Sequence, residues 1–135
     1  MTEFHLDAKI AADSTPVVGL GFSDLRLMND ARYPWLILVP RTAAVEIVDL
    51  DPAERTRLLD EISQVSAALR QVTRCDKLNI AALGNVVRQL HVHVIGRFET
   101  DAAWPRPVWG FGEAVAYGRT ERDSLIGRIR AALPA

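Results

Sequence analysis

The stretch QLHVHVIGR, residues 89–97, decides how this chain is read. Polar and apolar residues alternate from Gln89 to Val94, the period-2 pattern of a half-buried strand. Leu90, Val92 and Val94 are therefore predicted to face a core, and Gln89, His91 and His93 to share the opposite face. The chain has three histidines, and two of them stand on this one face about 7 Å apart at Cα, the two-residue rise of a strand. Imidazoles so placed can act as nucleophile or as acid and base near neutral pH, ligate a metal, or be polar residues on a wet sheet face. The two-histidine pattern alone does not choose among these.

Working outward, residues 77–83 read as a strand that Gly84 and Asn85 turn back into the motif, so the two strands are expected to be antiparallel neighbours. Residues 35–39 are apolar throughout, as in a strand buried on both faces, and Pro40 ends them. Leu25 and Leu27 alternate with Arg26 and Met28 in a shorter strand closed by Asn29 and Asp30, and the polar residues and proline before Trp35 predict a hairpin. Residues 14–21 read as another short strand entering a turn. Residues 4–13 read as a short helical or hairpin segment in which His5 is expected to be exposed.

The clearest helix covers residues 51–71. Asp51 is a good N-cap, Pro52 suits the first helical position, and Glu54 completes a capping box. Leu58, Ile62, Val65, Leu69 and Val72 form its apolar stripe, while Arg55, Arg57, Asp60 and Glu61 are read as its solvated face. The Trp- and Pro-rich segment 104–110 excludes a regular helix, and packing is favoured over base stacking for its tryptophans. Thr120 with Asp123 is then expected to cap a last helix carrying Leu125, Ile126, Ile129 and Leu133.

A chain of 135 residues suits one domain, 1–135, with a sizeable core. The net charge of −1 offers no field for a polyanion, so nucleic-acid binding is not expected. The single Cys75 cannot form an internal disulfide, and no zinc spacing is present. MTEFHLDAKI at the start has no basic region followed by an apolar run, and no segment approaches the length of a membrane span. The expectation is a cytoplasmic protein with no membrane contact.

With these elements in place, QLHVHVIGR resembles the histidine-triad (HIT) family of nucleotide hydrolases and transferases, whose motif is His-φ-His-φ-His-φ-φ with φ apolar. Gln89 stands at the first histidine, His91 at the second and His93 at the third. Asn79, the Gly84-Asn85 turn and LMNDARYPWLILVPR extend the resemblance over residues 25–97, about half the chain. It implies an α+β fold: an antiparallel sheet of about five strands, the main helix on one face and His91 on the other, and a C-terminal helix. It also implies that His91 is the nucleophile and that His93 bonds the phosphoryl oxygens or the departing group. The Gln89 amide would donate to a phosphate oxygen. Asn79, the backbone around Asn85, and Arg97 would stabilise charge. Asn29 and Asp30 would reach the ribose hydroxyls, or else simply make an Asx turn. Trp35 stands where many relatives carry a fourth histidine, and Val86 where some carry a hydroxyl. The implied ligand is a small purine nucleotide derivative, with no cofactor or metal, and the implied assembly a homodimer. The alternatives are a nucleotide-binding module with vestigial catalysis and a metal protein using His91 and His93.

Overall fold

Trp35 to Pro40 are all buried, and the alternation along them builds two cores at once. Leu36 and Leu38 point to one side and Trp35, Ile37 and Val39 to the other. This strand, β3 (Trp35–Pro40), is the centre of an antiparallel sheet in a computed structural model that describes residues 3–134. The others are β1 (Ser14–Gly19), β2 (Ser23–Met28), β4 (Lys77–Ala81) and β5 (Val92–Arg97), and the order is β1-β2-β3-β5-β4. The predicted hairpin of β2 with β3 and the antiparallel pairing of β4 with β5 are both present. β1, at one edge, carries Pro16 beside a register shift between Pro16 and Val18, the kind of position where a missing N–H is tolerated.

Three helices complete the α+β fold among the described residues: α1 (Ala8–Asp13), α2 (Pro52–Thr73) and α3 (Arg119–Ala132). α2 starts with the predicted capping box of Asp51 and Glu54 and ends at Arg74, whose φ of 55° is left-handed. Leu58, Val65 and Leu69 of α2 and Ile126 and Ile129 of α3 cover the sheet face presented by Leu36, Leu38, Val92 and Val94. Glu61 departs from its expected place on the solvated face: it is buried, and its Oε2 accepts from the Phe22 N–H at 2.8 Å. The cap of α3 also differs from expectation, because Gly118 is the N-cap and no side chain bonds the first turn.

The opposite sheet face is covered by α1 and by the segment after β5. Ile10, Tyr33, Ala103 and Val108 pack there against Trp35, Ile37, Val39 and Ile95. Of residues 4–13, α1 makes the part from Ala8 helical, with the Asp7 side chain accepting from the N–H groups of Lys9 and Ile10. His5 is exposed, as expected.

Candidate active site

The strand predicted from Gln89 begins three residues later, at Val92. The last pairs of β5 are Leu38 with Val92 on one side and Ala81 with His93 on the other. Continuing past Val92 would bring Leu90 opposite Pro40, which has no N–H to share. Side-chain directions nevertheless follow the alternation: Leu90, Val92 and Val94 enter the helix-covered core, while His91 and His93 lie on the other side with ring centroids 4.9 Å apart.

Both imidazoles line a cavity of about 230 Å³ whose apolar walls include Ile10, Met28, Trp35, Ile37 and Trp109. Gly84, with a φ of 75° that glycine adopts without penalty, turns the chain so that Asn85 reaches the same cavity. A second cavity, of about 630 Å³, shares Gly84, Asn85 and His91 and adds Glu46, Arg88 and Gln89. A third, of about 360 Å³, shares Trp35 and Trp109 with the first and is lined by Asn29, Asp30 and Arg32. His91 thus stands in a wall common to two cavities.

The tautomers of both histidines follow from their partners. His91 Nδ1 is 2.7 Å from the backbone oxygen of Gln89; a carbonyl only accepts, so Nδ1 carries a proton, and in the neutral ring the lone pair is on Nε2. For His93 the sense is reversed. Trp35 Nε1–H can only donate, and it lies 2.9 Å from His93 Nδ1, so the proton of His93 is on Nε2. The two neighbours thus present one nucleophilic nitrogen and one N–H donor. Burial, with the nearby His91 adding to it, pushes the His93 pKa down to about 4, so His93 is neutral at physiological pH. Trp109 packs edge-on to both His93 and Trp35, at 5.0 and 5.8 Å between centroids.

Other expected site residues are engaged elsewhere. Arg97 is 1 % exposed and makes four hydrogen bonds: two to the Asp101 carboxylate at 2.8 and 3.0 Å, one to Asn79 Oδ1 and one to the Arg106 carbonyl, both at 2.8 Å. It also lies over the rings of Tyr33 and Trp104. Arg97 ends β5 five residues beyond Val92, roughly 16 Å along the strand. Arg97 and Asn79 therefore fasten the Trp- and Pro-rich segment, in place of the expected phosphate contact. The Trp104 ring lies against the Arg97 guanidinium, whereas Trp109 packs on the core around Trp35 and also walls the cavity.

Asp30 is buried, with its carboxylate on the Arg32 guanidinium at 2.9 to 3.3 Å and on the N–H groups of Arg32 and Val115. The bond from the Arg32 N–H is the Asx turn foreseen as the other reading of this pair. Burial alone would raise the Asp30 pKa, but these bonds outweigh it and hold the carboxyl below the usual range. Asn29 accepts from the Thr15 hydroxyl at 2.8 Å and borders the third cavity.

Gln89 departs most from expectation. Its Oε1 accepts from the Asp7 N–H and its Nε2 donates to the His5 carbonyl, both at 2.8 Å, so the amide expected to donate to a phosphate oxygen bonds the N-terminal segment through both its oxygen and its nitrogen. Sequence reasoning missed the contribution of α1, whose Lys9, Ile10 and Asp13 line the first cavity. The cap at Asp7 was a usable signal for the helix, though not for its place. Among the described residues, no three His, Cys, Asp or Glu side chains gather as a metal site, and no helix is long and apolar enough to cross a membrane.

An antiparallel sheet that presents His-x-His to a cavity at the start of a central strand has the architecture of a histidine-triad protein. A family model described as the HIT domain matches residues 13–100. A histidine-triad protein from Bradyrhizobium japonicum superposes with a TM-score of 0.97 at 48 % identity, covering 98 % of this chain and 100 % of its own. A HIT protein from Sinorhizobium meliloti gives 0.94 at 47 % identity over 96 % and 97 %, and one from Marinobacter aquaeolei 0.94 at 40 % over 98 % and 97 %. No match is found among functionally curated proteins. The chain belongs to the HIT family, whose members are generally nucleotide-binding hydrolases and transferases.

Proposed function

We propose that the protein hydrolyses, or transfers the nucleotidyl group of, a small purine nucleotide carrying a phosphoanhydride or phosphoramidate, through a covalent intermediate on His91. The observation that carries this reading is the bond from His91 Nδ1–H to the Gln89 carbonyl, which leaves Nε2 as the basic nitrogen of a ring lining the cavity. The Nε2 lone pair would attack phosphorus, forming a P–N bond while the bond to the leaving group breaks and its electron pair departs with that group. The resulting imidazolium keeps its Nδ1 proton, and the Gln89 carbonyl facing it stabilises the positive charge. Water would then attack phosphorus, the P–N electrons return to Nε2, and the proton from water goes to solvent or to the released phosphate.

His93 enters as a neutral donor: its Nε2–H can bond a phosphoryl oxygen, and the backbone N–H groups around Asn85, which lines the cavity, would do the same. Asn29 and the Trp35–Trp109 wall border the space offered to the nucleoside. With Arg97 held by Asp101, Asn79 and the Arg106 carbonyl, and Gln89 bonded to the N-terminal segment, fewer groups are free to stabilise charge, which supports a slow enzyme. A homodimer is supported by the open edge of β4, where Ile80 is half exposed. The free Cys75 supports a reducing compartment, the cytoplasm.

The test is His91→Ala. Turnover of an adenosine phosphoramidate or a dinucleoside polyphosphate should vanish while adenosine monophosphate still binds, because only the covalent step needs the imidazole. Equal turnover in the variant and the parent protein would sink the assignment.

A further inference from the structure

We propose that Gln89 is a positioning residue: its side-chain amide straps the N-terminal segment down so that α1 forms a wall of the substrate cavity. The inference rests on the reading of that cavity as the nucleotide site. The two groups Gln89 bonds, the His5 carbonyl and the Asp7 N–H, flank a single residue, Leu6. A carboxamide places its donor and acceptor side by side, as a peptide group does, so Gln89 takes the part of a residue on a neighbouring strand. Imidazole cannot copy this. Its two nitrogens point apart across the ring, and in the neutral form one donates while the other accepts in diverging directions.

What is held matters to the cavity. Asp7 is both the residue that Gln89 grips through its N–H and the N-cap whose side chain organises the start of α1. From α1, Lys9, Ile10 and Asp13 then line the cavity beside His91 and His93. The far end of the helix is tied by the Ser14 hydroxyl, which donates to the Ile10 carbonyl and accepts from Arg26 Nε. Gln89 is also the residue whose backbone oxygen fixes the His91 tautomer. One residue thus orients the nucleophile through its main chain and closes the cavity through its side chain. A substitution at this position removes only the second of these functions.

The experiment uses Gln89→Leu, similar in size and unable to bond, with amide hydrogen exchange of the ligand-free protein, calorimetric titration with adenosine monophosphate, and steady-state kinetics. Exchange over residues 5–13 should quicken about tenfold or more, as expected for the loss of two hydrogen bonds, and affinity for the monophosphate should weaken about tenfold. The kinetic defect should fall on KM more than on kcat. Asp7→Pro, which removes the same N–H from the other side, should weaken binding beyond Asp7→Ala, which loses only the cap. Unchanged exchange in Gln89→Leu would overturn the strap. Quickened exchange with unchanged affinity would overturn the role of α1 in binding, and a loss of kcat at constant KM would return the amide to the transition state. Should the parent protein fail to bind adenosine monophosphate, the nucleotide reading and the binding half of the inference fall together, while exchange still decides the strap.

Discussion

Trp35→Phe isolates the bond that sets the His93 tautomer. Phenylalanine keeps an aromatic ring between Tyr33 and Trp109 but removes the N–H that lies 2.9 Å from His93 Nδ1. A buried acceptor left without a donor costs about 1–3 kcal/mol, so the unfolding free energy of the variant from urea denaturation should be lower by that amount. The same bond stabilises the neutral ring, because a protonated Nδ1 could not accept it. Its net worth of about 0.5–1.5 kcal/mol corresponds to roughly one pH unit, so the His93 pKa should rise by about that much in the variant while burial still keeps it low. Nitrogen chemical shifts of labelled histidine report both effects, as the parent protein should show a clean Nε2–H pattern for His93 and the variant a mixture of tautomers. Turnover should fall several-fold as the donor becomes only partly available. An unmixed Nε2–H tautomer in Trp35→Phe, with the pKa and stability of the parent protein, would refute the reasoning.

The His93 pKa is lower in the folded chain, near 4 against 6.5, so the unfolded chain binds more protons between those values and stability should fall as pH drops through that window. The total loss is about 3 kcal/mol at about 1.4 kcal/mol per pH unit, and His93→Gln should flatten urea midpoints measured from pH 7 to pH 4. Arg97→Ala breaks a buried pair and strands Asp101, so a destabilisation of about 3–5 kcal/mol is expected by chemical denaturation. Exhaustive chelation should leave turnover intact, and a stoichiometric metal content in purified protein would instead favour the metal reading. Light scattering after gel filtration should give the mass of two chains, and a monomer at all concentrations would count against the β4 edge as an interface.

What the sequence made legible was local or periodic. The α2 capping box, the double burial of β3 and the inward facing of Leu90, Val92 and Val94 each follow from neighbours within a turn or a strand. The start of β5 was misread because alternation continues into Gln89 although the hydrogen-bonding partners stop, Pro40 being unable to extend the ladder. Glu61 was misread because it borders the apolar stripe, three residues after Leu58, and its partner is the backbone of Phe22. The fates of Gln89, His93 and Arg97 were invisible for a related reason. Gln89 answers to residues 5 and 7, and His93 to residue 35, separations that no local pattern encodes. Arg97 looks like a phosphate ligand in sequence, and only the fold brings Asp101, Asn79 and the Arg106 carbonyl around it.

The central claim is that His91 becomes covalently nucleotidylated. Mixing the protein with an adenosine phosphoramidate, quenching within a turnover and recording intact mass should show an increment of one adenylyl group, mapped to His91 by peptide fragmentation and absent from His91→Ala. Steady hydrolysis of the same substrate with no adduct at early quench times, together with undiminished turnover in His91→Ala, would contradict it.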